Sequence, residues 1–174
     1  MAVLIAVGVH STGEREVVGV DVGPAEDHEF LRQLVSRGLS GVRLVISDSH
    51  LGLKQAVARV FVGSTWQRCR VHFMRNAMAT VPKVAQQMVA ATLRTVFAQP
   101  DQASAHDTIE RICRLFEKSF KTALARISSC ARRGEQRFGP MPPLQAKITN
   151  FSVCSAFFHQ LVLGLGDPGR DVRL

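Results

Sequence analysis

Residues Val42 to Leu53 read V-R-L-V-I-S-D-S-H-L-G-L. The run begins with β-branched and aliphatic residues and stops at Asp48, which is followed by Ser49, His50 and Gly52. A short apolar run that ends in an acid reads as a buried strand delivering a carboxylate to the edge of a sheet. In α/β proteins that edge is where ligands bind and chemistry is done. An Asp just past a strand is also a very common helix N-cap, and Asp48 taken alone favours that structural role.

Working outward, Ala2 to Val9 and Val17 to Val22 are apolar runs joined by Ser11-Thr12-Gly13-Glu14, which predicts an antiparallel hairpin. Gly23-Pro24 then opens a helix, with Glu26 and Asp27 in its first turn, an apolar face of Phe30, Leu31, Leu34 and Val35, and Gly38 as the stop. A hairpin and a helical crossover into the Val42 to Ile46 strand give a mixed sheet in an α/β fold. Downstream of Gly52 the spacing of Leu53, Ala56, Val57, Val60 and Phe61 predicts a helix ended by Gly63. Trp66 to Arg70 reads as a short strand running into a helix that begins near Val71. Pro82 breaks it, Ala85 to Phe97 is a strong helix with Met88, Val89, Leu93, Val96 and Phe97 apolar, and a last helix runs from Asp101 to about Leu124.

A chain of 174 residues that is 46% hydrophobic can bury a core without staples. Its formal charge of +8 points to a polyanionic partner, nucleic acid before membrane. The charge is localised: no acid occurs between Asp48 and Asp101, while Lys54, Arg59, Arg68, Arg70, Arg75, Lys83 and Arg94 all do. A solvated face usually mixes signs, so a block of one sign favours phosphate contact. Cys69, Cys113, Cys130 and Cys154 form no C-x-x-C pair, and without a leader pattern the default is reduced thiols in a cytoplasmic protein. The most apolar tail stretch, Phe151 to Leu165, is shorter than the ~20 residues a membrane span needs.

Cys69 and His72 are both metal-ligand types at a spacing that can turn them to one side. A zinc site needs more ligands than this pair supplies, so a buried thiol and a hydrogen-bonded imidazole at a strand-to-helix junction is the favoured reading. Trp66, the one tryptophan, is most simply a core anchor, with stacking on an extruded base as the functional alternative. A receiver-like or phosphatase-like domain using Asp48 as phosphoacceptor would want more acids after its first strand; here no acid precedes Glu14.

The blocks D-S-H-L-G-L at Asp48 to Leu53, W-Q-R-C-R-V-H-F-M-R-N-A at Trp66 to Ala77 and V-P-K at Val81 to Lys83 together resemble the catalytic core of bacterial mutator-type insertion-sequence transposases. G-V-D-V-G at Gly19 to Gly23 and R-G-L-S-G-V at Arg37 to Val42 extend the resemblance, which covers about residues 2 to 117. It implies an RNase H-like mixed sheet with helices. It also implies three acids, two Asp and one Glu, holding two Mg²⁺ (or Mn²⁺) ions about 3.5–4 Å apart for in-line attack on a DNA phosphodiester. Asp48 matches the second acid. His50 and Gly52 belong to the same motif, Cys69 and His72 match the family's C-x-x-H signature, and Lys54, Arg68, Arg70, Arg75 and Lys83 would track DNA backbone.

The departures from the family are equally specific. The strand carrying the first Asp would precede the hairpin with which this chain begins, so the core is expected to lack its first strand and to expose strand edges. Asp21 matches a non-catalytic position. No stretch matches the surroundings of the third acid, and no glutamate follows Glu135. The expected organisation is a partial catalytic core at 2–80, a helical insertion-type segment at 81–124, and an irregular tail at 125–174. That tail is either out of frame or simply divergent, with Phe151 to Leu165 as a short helix. The implied function is that of a transposase fragment, by descent a metal-dependent strand-cleaving and strand-joining enzyme but inactive alone; the alternative is a non-enzymatic DNA-binding or regulatory remnant. Terminal inverted repeats and target DNA would be the partners of the intact family, with self-association a further possibility.

Overall fold

The computed structural model describes residues 2–23, 28–116 and 158–165. They form β1 (Ala2–Val9), β2 (Arg15–Gly23), α1 (His28–Ser36), β3 (Val42–Ser47), α2 (Leu51–Val60), β4 (Thr65–Arg68), α3 (Arg70–Met78), α4 (Lys83–Phe97), α5 (Gln102–Phe116) and β5 (Phe158–Leu165). The fold is α/β, with an open mixed sheet of five strands and five helices among the described residues. The chain divides into two compact units, one holding residues up to Cys69 together with β5, the other beginning at Arg70.

In the first unit the strand order is β2-β1-β5-β3-β4. β1 and β2 are the expected antiparallel hairpin, with a register shift between Ala6 and Val7, and β3 pairs with β4 in parallel. The hairpin closes through Gly13 N–H donating to the His10 carbonyl at 2.9 Å and His10 N–H donating to the Glu14 carbonyl at 2.9 Å. α1 and α2 supply Phe30, Leu31, Leu34, Leu53, Ala56 and Val57 to a core completed by Leu4, Ala6, Val18, Val45, Leu163 and Leu165. Each large apolar side chain fully buried in this way contributes about 1.5–3 kcal/mol before ordering costs are counted. A smaller cluster of Val9, Ile46 and Val162, with Leu44 and Cys69 against it, forms a second apolar group.

α1 ends where its sequence stops it. Gly38 takes φ 106°, and Leu39 N–H reaches back to the Leu34 carbonyl at 3.0 Å, the left-handed turn-off for which glycine is suited. Gly19 has a different task. A Cβ built there would lie 2.6 Å from Leu34 Cδ2 and 3.1 Å from Phe30 Cε2, so the bare backbone of β2 is what lets α1 seat on the sheet.

The second unit is helical. Phe73, Ala77, Val81, Val89, Leu93, Val96, Phe97, Ala105, Ile109, Ile112 and Phe116 make one buried cluster, in which Phe73 meets Phe97 edge to face with centroids 6.2 Å apart. α5 is capped by Asp101, whose carboxylate accepts from Ser104 N–H at 2.8 Å and from Ser104 Oγ at 2.9 Å.

Several expectations need correction. Residues 158–165 are a strand rather than part of a helix, because the apolar run Leu161 to Leu165 is too short for periodicity to separate the two and its backbone is paired on both sides. The expected strand edges fall on β2 and β4, and β5 lies between β1 and β3. The expected apolar positions Val35 and Met88 are exposed, at 43% and 51%. Glu26, Asp27, the end of the last helix after Phe116 and most of the tail lie outside the described residues. No described helix is long and apolar enough to cross a membrane.

Candidate functional site

Asp48 follows the last residue of β3 and is half-buried. The residue before it is the fixed point. Ser47 is fully buried; its Oγ donates to the Asp48 carbonyl at 2.9 Å and accepts the Trp66 indole N–H at 2.9 Å. Its own carbonyl accepts Cys69 N–H at 2.7 Å, which carries the parallel β3–β4 pairing one residue beyond β4. The backbone on which Asp48 stands is therefore tied to the neighbouring strand by side-chain and main-chain bonds. Asp48 Oδ1 accepts Ser49 N–H at 2.7 Å, a local bond that turns the chain into the approach to α2.

Asp48 is not the cap of that helix. The N-cap is His50, extended at φ −80° and ψ 128° and making no side-chain capping bond. The carboxylate thus sits two residues ahead of the cap position and bonds Ser49 N–H. Gly52 is in the first turn of α2, and Lys54, one turn on, places its Nζ 4.5 Å from the centre of the Trp66 ring. Trp66 is accordingly held by a cation on its face and a hydroxyl at its nitrogen, packed against the core, as the anchor reading expects. Arg68 closes β4, half-buried. The Cys69 side chain packs on the Val9, Ile46 and Val162 cluster and is not in a disulfide.

The remaining candidates belong to the second unit. Arg70 opens α3 with its guanidinium 3.9 Å from the Phe97 ring centre, and burial, followed by the nearby Arg94 charge, lowers its pKa from the usual arginine value. His72 is buried in the first turn of α3. Arg75 and Lys83 are exposed on α3 and at the start of α4. No group of three or more His, Cys, Asp or Glu side chains able to hold a metal ion occurs among the described residues. The residue that sequence reasoning missed is Ser47. A serine closing an apolar strand carries no motif, and its link to Trp66 spans 19 residues.

A family model described as Transposase, Mutator family, matches residues 1–138. The chain belongs to that family. Among curated relatives, it is 43% identical over 113 residues to the transposase for insertion sequence element IS1081 of Mycobacterium tuberculosis, covering 63% of this chain and 27% of that protein. It is 41% identical over 122 residues to the transposase for IS406 of Burkholderia multivorans, covering 67% and 31%. Against the transposase for IS256 in transposon Tn4001 of Staphylococcus aureus the figures are 37% over 112 residues, 62% and 29%. This Mutator chain therefore spans about a third or less of the length of these relatives. β5 lies beyond the family match, which stops at residue 138.

Proposed function

We propose that this chain is a partial RNase H-like catalytic core of a Mutator transposase, retaining the second of the three metal-binding acids and binding DNA without cutting it. Asp48 carries the first part of this reading: it stands at the end of an internal strand, on a backbone fixed by Ser47, in the D-S-H-L-G-L block of the family. The relatives' names, transposases for insertion sequence elements, supply DNA as the substrate class.

A pair of divalent cations is what the family's chemistry calls for, and the residues described here do not fit it. Hard cations of this kind take several oxygen donors, usually more than one carboxylate, and Asp48 is part of no group of three or more His, Cys, Asp or Glu side chains able to hold a metal ion among the described residues. Exposed Arg75 and Lys83 and half-buried Arg68 support a DNA-backbone role, as does the absence of any acid from residue 49 to 100, whereas Lys54 is engaged on the face of Trp66. A non-enzymatic DNA-binding remnant is the form of the function these observations favour.

The test is direct. Purified chain is incubated with a labelled oligonucleotide carrying the parent element's terminal repeat, with Mg²⁺ or Mn²⁺, and products are resolved alongside a mobility-shift titration. The expected outcome is a salt-sensitive shift with neither nicks nor joined products. Metal-dependent nicking abolished by Asp48→Asn would show that the chain completes its active site in some other way, and no shift at low salt would remove the DNA-binding reading.

A further inference from the structure

We propose that residues 158–165 act as a complementing strand, supplied from outside the family-matched part of the chain and joining in cis two strand pairs of the Mutator core that share no ladder of their own. The strand order carries the idea. β2-β1 lies on one side of β5 and β3-β4 on the other, and all four of those strands fall within residues 1–138, whereas β5 does not. Its pairing is extensive on both sides. It runs parallel to β1 from Val3↔Phe158 to Val9↔Gly164, and antiparallel to β3 from Val42↔Leu165 to Ile46↔Val162.

The side chains follow the same logic. Val162 joins Val9 and Ile46 in one apolar cluster, while Leu163 and Leu165 join Leu4, Ala6, Leu31, Val45 and Leu53 in another. Alternation along β5 thus feeds both clusters, as a central strand should. Ala6, Val9 and Val45, which stand opposite Leu161, Gly164 and Leu163 in the two ladders, are 0% exposed with β5 in place; without a strand there, their main-chain groups would have to find other partners. The slot between β1 and β3 takes an extended strand whose buried part, Val162 to Leu165, is apolar, and F-H-Q-L-V-L-G-L carries no Asp, Glu, Lys or Arg. It brings no carboxylate with it, so the completed sheet gains no acid from this strand. β5 holds these two strand pairs together whether or not the chain binds DNA.

The experiment uses the full chain with its native cysteines replaced by alanine and a pair introduced by Ile46→Cys and Val162→Cys, facing positions on antiparallel strands. Mild oxidation followed by peptide mapping is expected to give an intramolecular disulfide, forming at least about tenfold faster than in an out-of-register control, Ile46→Cys with Gly164→Cys. In parallel, Leu163→Pro removes a ladder donor from β5 and is expected to cut hydrogen-exchange protection in β1 and β3 by about tenfold or more while α4 and α5 keep theirs. Three results would each overturn the proposal. These are no cross-link in protein whose β1 and β3 amides are protected, a cross-link found between two chains only, and β1 and β3 protection unaffected by Leu163→Pro.

Discussion

At the scale of single residues, Ser47 decides how firmly the candidate carboxylate is held. Its hydroxyl is at once a donor to the carbonyl of Asp48 and the acceptor for Trp66 Nε1, so removing it loosens the strand end and leaves an indole N–H without its partner. Ser47→Ala is expected to lower stability by about 1–2 kcal/mol, at the modest end for a lost buried acceptor because Trp66 is only partly buried. Urea titration followed by the fluorescence of Trp66, the single tryptophan, reads both the midpoint and the changed surroundings of the ring. Asp48 was legible in the sequence because a lone acid ending an apolar run is a local pattern. The Ser47–Trp66 bond was not, since it joins residues on two strands whose pairing no local pattern states. Cys69 directly follows β4 and packs on an apolar cluster of the sheet, and His72 is buried in the first turn of α3.

At the scale of elements, the contact between β2 and α1 depends on Gly19 having no side chain. Gly19→Ala would drive a methyl group against Leu34 and Phe30, and a destabilisation of about 1–3 kcal/mol is expected from overpacking. Leu34→Ala alone leaves a cavity and costs about 2–5 kcal/mol, but the double variant should cost less than the sum, since each change relieves part of the other's misfit. A double-mutant cycle by chemical denaturation checks that sign; strict additivity would mean that the two residues do not meet. α5 offers a pH test. Bonds from Ser104, backbone first and side chain second, hold the Asp101 carboxyl below its usual pKa. A carboxyl depressed in the folded state contributes stability above its unfolded pKa, about 3.9, and loses it as pH falls through the folded value. The urea midpoint of the parent chain should therefore drop below pH 4 more steeply than that of Asp101→Asn. Most elements were readable in advance because their signals are local: Gly38 at the end of α1, Pro82 before α4, Asp101 before α5. β5 was not, because Phe151 to Leu165 is apolar without a decisive period, and what makes part of it a strand is the pair of edges it meets from β1 and β3.

At the scale of the whole molecule, the chain's excess positive charge is the property that a nucleic acid would sense, and two of its described cations stand in contrasting settings. Lys83 is exposed at the first turn of α4, whereas Arg70 is half-buried against Phe97 with its pKa lowered by burial and by Arg94. A cation that neutralises a phosphate releases a counterion, and each such contact adds about 0.9 to the magnitude of the slope of log K against log salt. A cation already committed to an aromatic face adds little to that slope but contributes about 0.5–2 kcal/mol to the fold. Two alanine variants therefore should separate. Lys83→Ala is expected to leave the denaturation midpoint unchanged and to reduce the salt slope by about 1, with nearly the same loss on any DNA sequence. Arg70→Ala is expected to lower the midpoint and leave the slope close to the parent's. Fluorescence anisotropy of a labelled duplex between low and moderate salt, measured beside urea curves of the same preparations, makes the comparison. Equal slope changes for the two variants would place Arg70 on the DNA with Lys83 and count its contact with Phe97 as incidental. No slope in the parent would leave the +8 charge without a nucleic-acid role.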